Sequence, residues 1–326
     1  MGDIDVVCYC PSDKKGILPS QFVQFAAHNN VTIDYIQPDP RFVPEYPHGN
    51  KLLATKSLRK TSKTLFLDTD TVIWQQFDPD ALITENVLSV APEGRRTWGK
   101  PQFGEDWGYL YDKFQLPHPQ EQIKLARTGA LSLPYFNAGV VGFANQLDGS
   151  AQSFGELWLE TAVAIDQDES VPKRRPWVDQ ISMPIAIART GWSYKILSNA
   201  WNLSLSRHSS EPIEEIAKID AEEPYILHYH RFRFLEGTRY TGYFDSLVAE
   251  FTTFSSFNEM MRPFNERSAV VKGLEAQIQA IRKMPKTERI GEIKEKFAAL
   301  KATRIGLVKS PQEELYKQWP DYIIKT

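Results

Sequence analysis

Cysteine is nearly missing from this chain: Cys8 and Cys10 are the two in 326 residues. At i and i+2 of an apolar run they point the same way along a strand, too strained a pair for an ordinary disulfide. No second pair exists to complete a zinc site, so buried free thiols in a reducing compartment are expected. Long apolar runs are missing too, and without about 18 consecutive apolar residues no membrane span is expected. Positive charge is not in excess, since 38 Lys and Arg against 41 Asp and Glu leave a net charge of −3. That balance argues against a general nucleic-acid binder. Ile4 to Cys10 reads as a first buried strand, so no signal peptide is expected. What is present is 42% apolar and 12% aromatic residues. This suffices for a sizeable core in one large α/β domain with an appendage, or in two modest domains.

Taken in order, the chain alternates. After the first strand, Pro19 to Asn29 fits a helix with Phe22, Phe25 and Ala26 on one face, and Val31 to Ile36 fits a second strand. A proline-rich connection leads to a helix from about Gly49 to Arg59. Then comes the stretch that organises the rest, Thr64-Leu65-Phe66-Leu67-Asp68-Thr69-Asp70-Thr71-Val72-Ile73-Trp74. The short apolar run Leu65-Phe66-Leu67, without alternation, fits a strand buried on both faces, as in a parallel sheet covered by helices. Strand, helix, strand, helix, strand is the pattern of such a sheet, and ligands gather at the carboxyl ends of its strands. Two carboxylates at such an end need compensation, and a divalent cation is the economical one. Asp-x-Asp by itself is weak, and two acids in a loop after a strand are the plain alternative.

The motif resembles the Asp-x-Asp of GT-A glycosyltransferases, especially the retaining family 8 type. The resemblance covers roughly residues 3 to 235. It implies a GT-A (Rossmann-like) nucleotide-sugar transferase domain with a central, mostly parallel sheet, and a Mn²⁺ or Mg²⁺ ion on the donor's diphosphate. The donor it implies is a nucleotide sugar, UDP-hexose in most such enzymes, and the acceptor is a saccharide or another hydroxyl compound. Phe136-Asn137-Ala138-Gly139-Val140 matches a second family segment, whose small residues let the backbone approach a ligand and whose Asn137 would bond the donor sugar. Asp179 and Gln180 match an Asp-Gln pair beside that sugar. Lys51, seventeen residues before Asp68, matches a basic residue that reaches the donor, with Lys56 as the alternative. Tyr9, Asp68, Thr69 and Arg231 complete the implied donor contacts, and Asp68, Asp70 and His228 the metal site. His230 shares a strand face with His228 and is the alternative ligand. The family's Gly-x-x-Lys-Pro-Trp is replaced by Arg231-Phe232-Arg233-Phe234, so Arg231 or Arg233 would take the diphosphate. Two other classes stay open: an Asp-x-Asp phosphatase, which Asp68 to Val72 matches literally, and a non-catalytic sugar-binding module on the same scaffold.

Two regions fall outside those motifs. Pro92 to Pro119 lacks periodicity but holds Trp98, Phe103, Trp107, Tyr109, Tyr111 and Phe114. It reads as an ordered acceptor loop, the alternative being a satellite hydrophobic cluster. From Val270 to Leu307 apolar residues recur at three-four spacing on both sides of Pro285, which describes a helical hairpin. Residues 267–309 carry eleven Lys and Arg against four Glu, a net of +7. We therefore expect residues 1–262 to form the catalytic domain and 263–326 a C-terminal basic helical arm. It is expected to pack on its own protein or on a second copy of the chain, the alternative being contact with an anionic membrane surface or a polyanionic acceptor. The expected location is cytoplasmic or peripheral to a membrane.

Overall fold

The computed structural model describes residues 4–16, 18–57, 61–99, 105–145, 152–206, 217, 221–231, 234–235 and 238–309. Phe103, Arg233 and residues 310–326, which entered the expectations above, lie outside them. The chain forms two compact units. The first holds mainly Asp34–Gly237 with Tyr9–Asp13; the second holds Val6–Cys8, Lys14–Ile33 and the chain from Thr238 onward. The division expected at 262/263 thus coincides with no unit boundary, and it falls inside a continuous helix, Phe257–Lys283.

The strands are β1 (Val6–Pro11), β2 (Val31–Ile36), β3 (Lys63–Leu67), β4 (Thr71–Ile73), β5 (Val87–Pro92), β6 (Ile123–Lys124), β7 (Leu131–Ser132), β8 (Phe136–Ala144), β9 (Ser193–Ile196), β10 (Leu203–Ser204) and β11 (Ile226–His228). The α/β class is as expected, but the main sheet is mixed. Its order is β3-β8-β5-β9, with β8 antiparallel to both neighbours and β9 parallel to β5. Alternating strands and helices suggest parallel crossovers, yet β8 enters between β3 and β5 from far along the chain, and no local pattern encodes that. As a result β3 is an edge strand among the described ones and is half-buried, whereas β8 takes the doubly buried place with Val140, Val141 and Phe143 fully enclosed. A second sheet, β10-β11-β4, pairs β11 parallel to β10 and antiparallel to β4.

Three helices frame the first sheet: α2 (Gly49–Lys56), α4 (Phe154–Asp166) and α5 (Val178–Thr190). Helix α4 starts at Ser153, whose hydroxyl accepts from the Glu156 N–H while Glu156 reaches back to the Ser153 N–H, a reciprocal cap. Gly155 in its first turn lies against α2 so closely that a Cβ there would stand 2.2 Å from the Thr55 carbonyl oxygen. That approach holds α2, and with it Lys51, at the sheet. Helix α5 is buried from Val178 to Ile187, and Gly191 in the left-handed region (φ 73°) ends it.

The aromatic segment after Pro92 is not an open loop. It contains helix α3 (Glu105–Lys113), whose Trp107 and Tyr111 pack inward with Trp98 and Tyr135. Trp98 meets Trp107 edge-on at 4.8 Å and is 5% exposed. Faces buried in this way cannot stack on a sugar, so the satellite-cluster alternative describes these residues. The end of α3 is tied by Asp168, which takes Lys113 Nζ at 2.6 Å, Tyr109 Oη at 2.8 Å and the Ser170 N–H at 2.9 Å. Desolvation pushes the Asp168 carboxyl up, but Lys113, Tyr109 and the Ser170 N–H outweigh it and hold it at about 2. A depressed folded-state value means the contribution is complete above the ordinary value of 3.8 and is lost as pH falls through about 2. The Tm of Asp168→Asn should therefore lie a few degrees below wild type at neutral pH, corresponding to about 1–2 kcal/mol. The gap should close between pH 4 and 2 in thermal melts, and a gap independent of pH would remove the ion pair as its cause.

In the second unit, α1 (Ser20–His28) sets Phe25 edge-on to Phe251 at 5.7 Å. Residue Phe251 ends α6 (Thr241–Phe251). Helices α7 (Phe257–Lys283) and α8 (Glu292–Lys309) follow as the expected hairpin, joined near Pro285 and tied by Arg304 to Glu275 at 2.6 Å. Among the described residues, no helix is long and apolar enough to cross a membrane.

Candidate active site

The acidic motif spans the break between the two sheets. Asp68 follows β3, its N–H donating to the Gly139 carbonyl at 2.8 Å, and Asp70 precedes β4. Their carboxylates have different partners. Asp68 Oδ2 takes Lys51 Nζ at 3.0 Å, and the same ammonium reaches Asp179 Oδ2 at 3.1 Å. Burial works against the Lys51 charge, but Asp179 and Asp68 outweigh it and hold the ammonium above the ordinary lysine value. Asp179, 3% exposed, also accepts from Tyr46 Oη at 2.8 Å, and its carbonyl takes the Trp158 indole N–H at 3.1 Å. Gln180 accepts from Tyr135 Oη at 2.9 Å. Lys51, Asp68 and Asp179, separate in sequence, thus meet in one ion-paired row.

Asp70 faces the other way. Its Oδ1 lies 3.1 Å from Nε2 of His228, a ring 2% exposed at the end of β11. His230 joins them because its backbone turns into the left-handed region, φ 55°, just past the strand. The two imidazoles stack at 3.7 Å, and Ser204 Oγ lies 2.8 Å from His230 Nε2. Burial and the neighbouring His228 push the His230 ring down to about 3, with Asp70 opposing. Burial raises the Asp70 carboxyl, but the two histidines outweigh it and leave it low.

One donor atom each from Asp70, His228 and His230 fall within 4.8 Å of one another. Two nitrogens and one carboxylate oxygen, converging with His228 buried and Asp70 and His230 half-buried, fit a divalent cation. The expected set was Asp68, Asp70 and His228. The structure brings the last two together, adds His230, and leaves Asp68 with Lys51.

Two further residues lie here that sequence reasoning passed over. Glu93 stands just past β5, beyond a bulge between Val90 and Ala91. It accepts from Asn137 Nδ2 at 3.0 Å and from the Gly94 N–H at 2.9 Å. Burial raises its carboxyl above the usual range, while Asn137 and the Gly94 N–H partly offset the rise. An acid directly behind the apolar run Val87 to Pro92 was the available signal. Asn202, 8% exposed after a short 3-10 turn, donates from Nδ2 to Asn137 Oδ1 at 2.8 Å, and its Oδ1 lies 2.9 Å from His228 Nδ1. No sequence pattern pointed to it. Glu93, Arg127, Asn137, Asn199, Asn202 and Ser204 line a shallow recess that opens to solvent, with a cavity volume of about 30 Å³.

The remaining expected donor contacts lie on three other segments. Tyr9 is half-buried in β1, which pairs with β2 in a separate two-stranded sheet. Thr69 is exposed in the turn between the two acids, where its carbonyl accepts from Tyr229 Oη at 3.4 Å. Arg231 is exposed past His230, its N–H donating to the Tyr229 carbonyl at 2.5 Å.

Residues 2–191 match the family described as the Rhodobacterales glycosyltransferase domain. No curated protein matches the chain. Among solved structures, the galactosyltransferase LgtC in complex with donor and acceptor sugar analogs is 13% identical. That match covers 70% of this chain and 88% of the other at a TM-score of 0.36. Mouse xyloside xylosyltransferase 1, in its apo form, is 11% identical, with coverage of 69% and 83% and a TM-score of 0.34.

Proposed function

The chain belongs to the Rhodobacterales glycosyltransferase family and is a sugar transferase, and from that premise we propose that it is a metal-dependent GT-A enzyme. Its donor is a nucleotide sugar, its acceptor a hydroxyl compound, and its transfer retains configuration at the anomeric carbon. The observation that carries the metal reading is the convergence of Asp70, His228 and His230 on one point beside the Asp68–Lys51–Asp179 row. Family membership sets the phosphatase alternative aside.

In this reading Asp70, His228 and His230 would hold the ion. The imidazole nitrogens favour Mn²⁺ over Mg²⁺, which prefers oxygen ligands throughout. A bound divalent cation supplies Lewis-acid stabilisation of the leaving nucleoside diphosphate. Lys51, held by Asp68 and Asp179 before any substrate arrives, would offer its ammonium to the donor. Asn137 and Glu93 stand in the wall of the recess, where their polar groups would face hydroxyls of the donor sugar. Asp179 orients Lys51 and is not assigned as a nucleophile.

A panel of nucleotide sugars, with the released nucleoside diphosphate measured in Mn²⁺ and in excess chelator, tests the proposal. Release is expected from at least one donor, and chelator should reduce it at least 100-fold. Full turnover in chelator would contradict the metal reading. Tight donor binding without release under any condition would instead support a non-catalytic sugar-binding protein.

A further inference from the structure

We propose that Asn202 is a positioning residue that sets the tautomer of His228 and couples the metal site to the sugar-facing wall of the recess. The proposal rests on the metal reading above and goes beyond it. It begins with a backbone N–H, which can only donate. The Gly139 N–H lies 2.9 Å from one side-chain atom of Asn137, so that atom is the carbonyl oxygen, Oδ1. The Asn137 amide is thereby fixed, and its Nδ2 meets the Glu93 carboxylate at 3.0 Å, a pairing that agrees.

The rest follows in sequence. Asn202 approaches the same Asn137 Oδ1 at 2.8 Å and must present its Nδ2 there. Its own Oδ1 then faces His228 Nδ1 at 2.9 Å, so that ring nitrogen must be the one carrying hydrogen. The Nε2 lone pair is left pointing at Asp70 Oδ1, 3.1 Å away. Two acceptors cannot hold that distance alone; a proton or a metal ion must lie between them. A second partner that fixes the ring and leaves one nitrogen free is how metal-binding histidines are commonly oriented. Here that partner also holds Asn137, so a change at Glu93 or Asn137 reaches the metal through one side chain. Asn202 itself is buried, and its hydrogen bond to the cluster among the described residues is the one to His228.

Two measurements test this. Long-range ¹H–¹⁵N NMR of the metal-free protein, at a pH where the His228 ring is neutral, should show Nδ1 protonated and Nε2 free. The Nε2–H form would overturn the proposal whatever the metal does. In Mn²⁺ titrations followed by electron paramagnetic resonance, Asn202→Ala should weaken binding 10- to 100-fold. Asn202→Asp still accepts from Nδ1–H and should stay within about threefold of wild type, while losing the amide donor to Asn137. Adding Glu93→Gln should then alter Mn²⁺ affinity in wild type but not in Asn202→Asp. Wild-type Mn²⁺ binding with an unchanged Asn202→Ala affinity would refute the positioning role alone. No Mn²⁺ binding by folded wild type would refute the metal reading with it.

Discussion

Asp70→Asn should abolish sugar transfer, by at least about 10³-fold, while the folded protein remains as stable as wild type within about 1 kcal/mol without metal. The amide is nearly isosteric and the residue is half-buried, so no cavity or clash is created. What disappears is the only carboxylate in the three-residue cluster. At a Mn²⁺ concentration of 100 Kd, wild type should gain about 2.7 kcal/mol, visible as a rise of several degrees in Tm. Asp70→Asn should show no such rise at the same concentration. A variant that keeps both the rise and the turnover would show that the ion, if used, sits elsewhere.

Asp68→Asn separates the two acids of the motif. Its carboxylate is committed to Lys51, a side chain 12% exposed and shared with Asp179. Removing it should leave Mn²⁺ affinity within about tenfold and mainly raise KM for the donor, because Lys51 loses the group that aims it. If both variants instead lost Mn²⁺ binding equally, Asp68 would be a ligand in the loaded enzyme and the Lys51 pair would open on metal binding.

The contrast also shows what was legible in advance. An acidic pair behind an apolar run placed the site at a strand end, and the family resemblance, not the local pattern, pointed to His228, Asn137, Asp179 and Lys51. Their pairings were not legible, because they depend on where distant segments meet. Lys51 and Asp179 come together only because α4 lets α2 approach at Gly155 and holds the start of α5 through Trp158. His230 was read as a strand residue two beyond His228, whereas a positive φ after the strand end turns its ring onto the first. The aromatics after Pro92 failed differently. Composition reports that large faces exist, and only packing decides that Trp98, Trp107 and Tyr111 spend them on each other. The edge position of β3 was hidden because an apolar run reads alike at a sheet's edge and at its centre.

Gly139 gives the sharpest case, and its substitution should carry the second large effect. The small residues of Phe136 to Val140 suggested backbone kept bare for a ligand. In the structure the bare backbone makes room for the protein's own histidine: a Cβ at 139 would stand 2.4 Å from His228 Cε1, 2.7 Å from His228 Nδ1 and 2.9 Å from Asn137 Oδ1. His228 is enclosed, with Asn202 against Nδ1 and Asp70 against Nε2, so it cannot yield without leaving one of them. Gly139→Ala should therefore lower Mn²⁺ affinity at least tenfold, cut transfer at least 100-fold, and cost about 1–3 kcal/mol of stability as overpacking. Gly273→Ala, in open space within α7, is the control and should leave metal binding unchanged. General misfolding is separated from the specific clash by a double-mutant cycle. Without the His228 ring the larger part of the collision is gone, so Gly139→Ala in a His228→Ala background should cost at least 1 kcal/mol less than it does alone. Equal costs in the two backgrounds would mean that Gly139 serves the strand rather than the histidine, and that the metal site owes nothing to it.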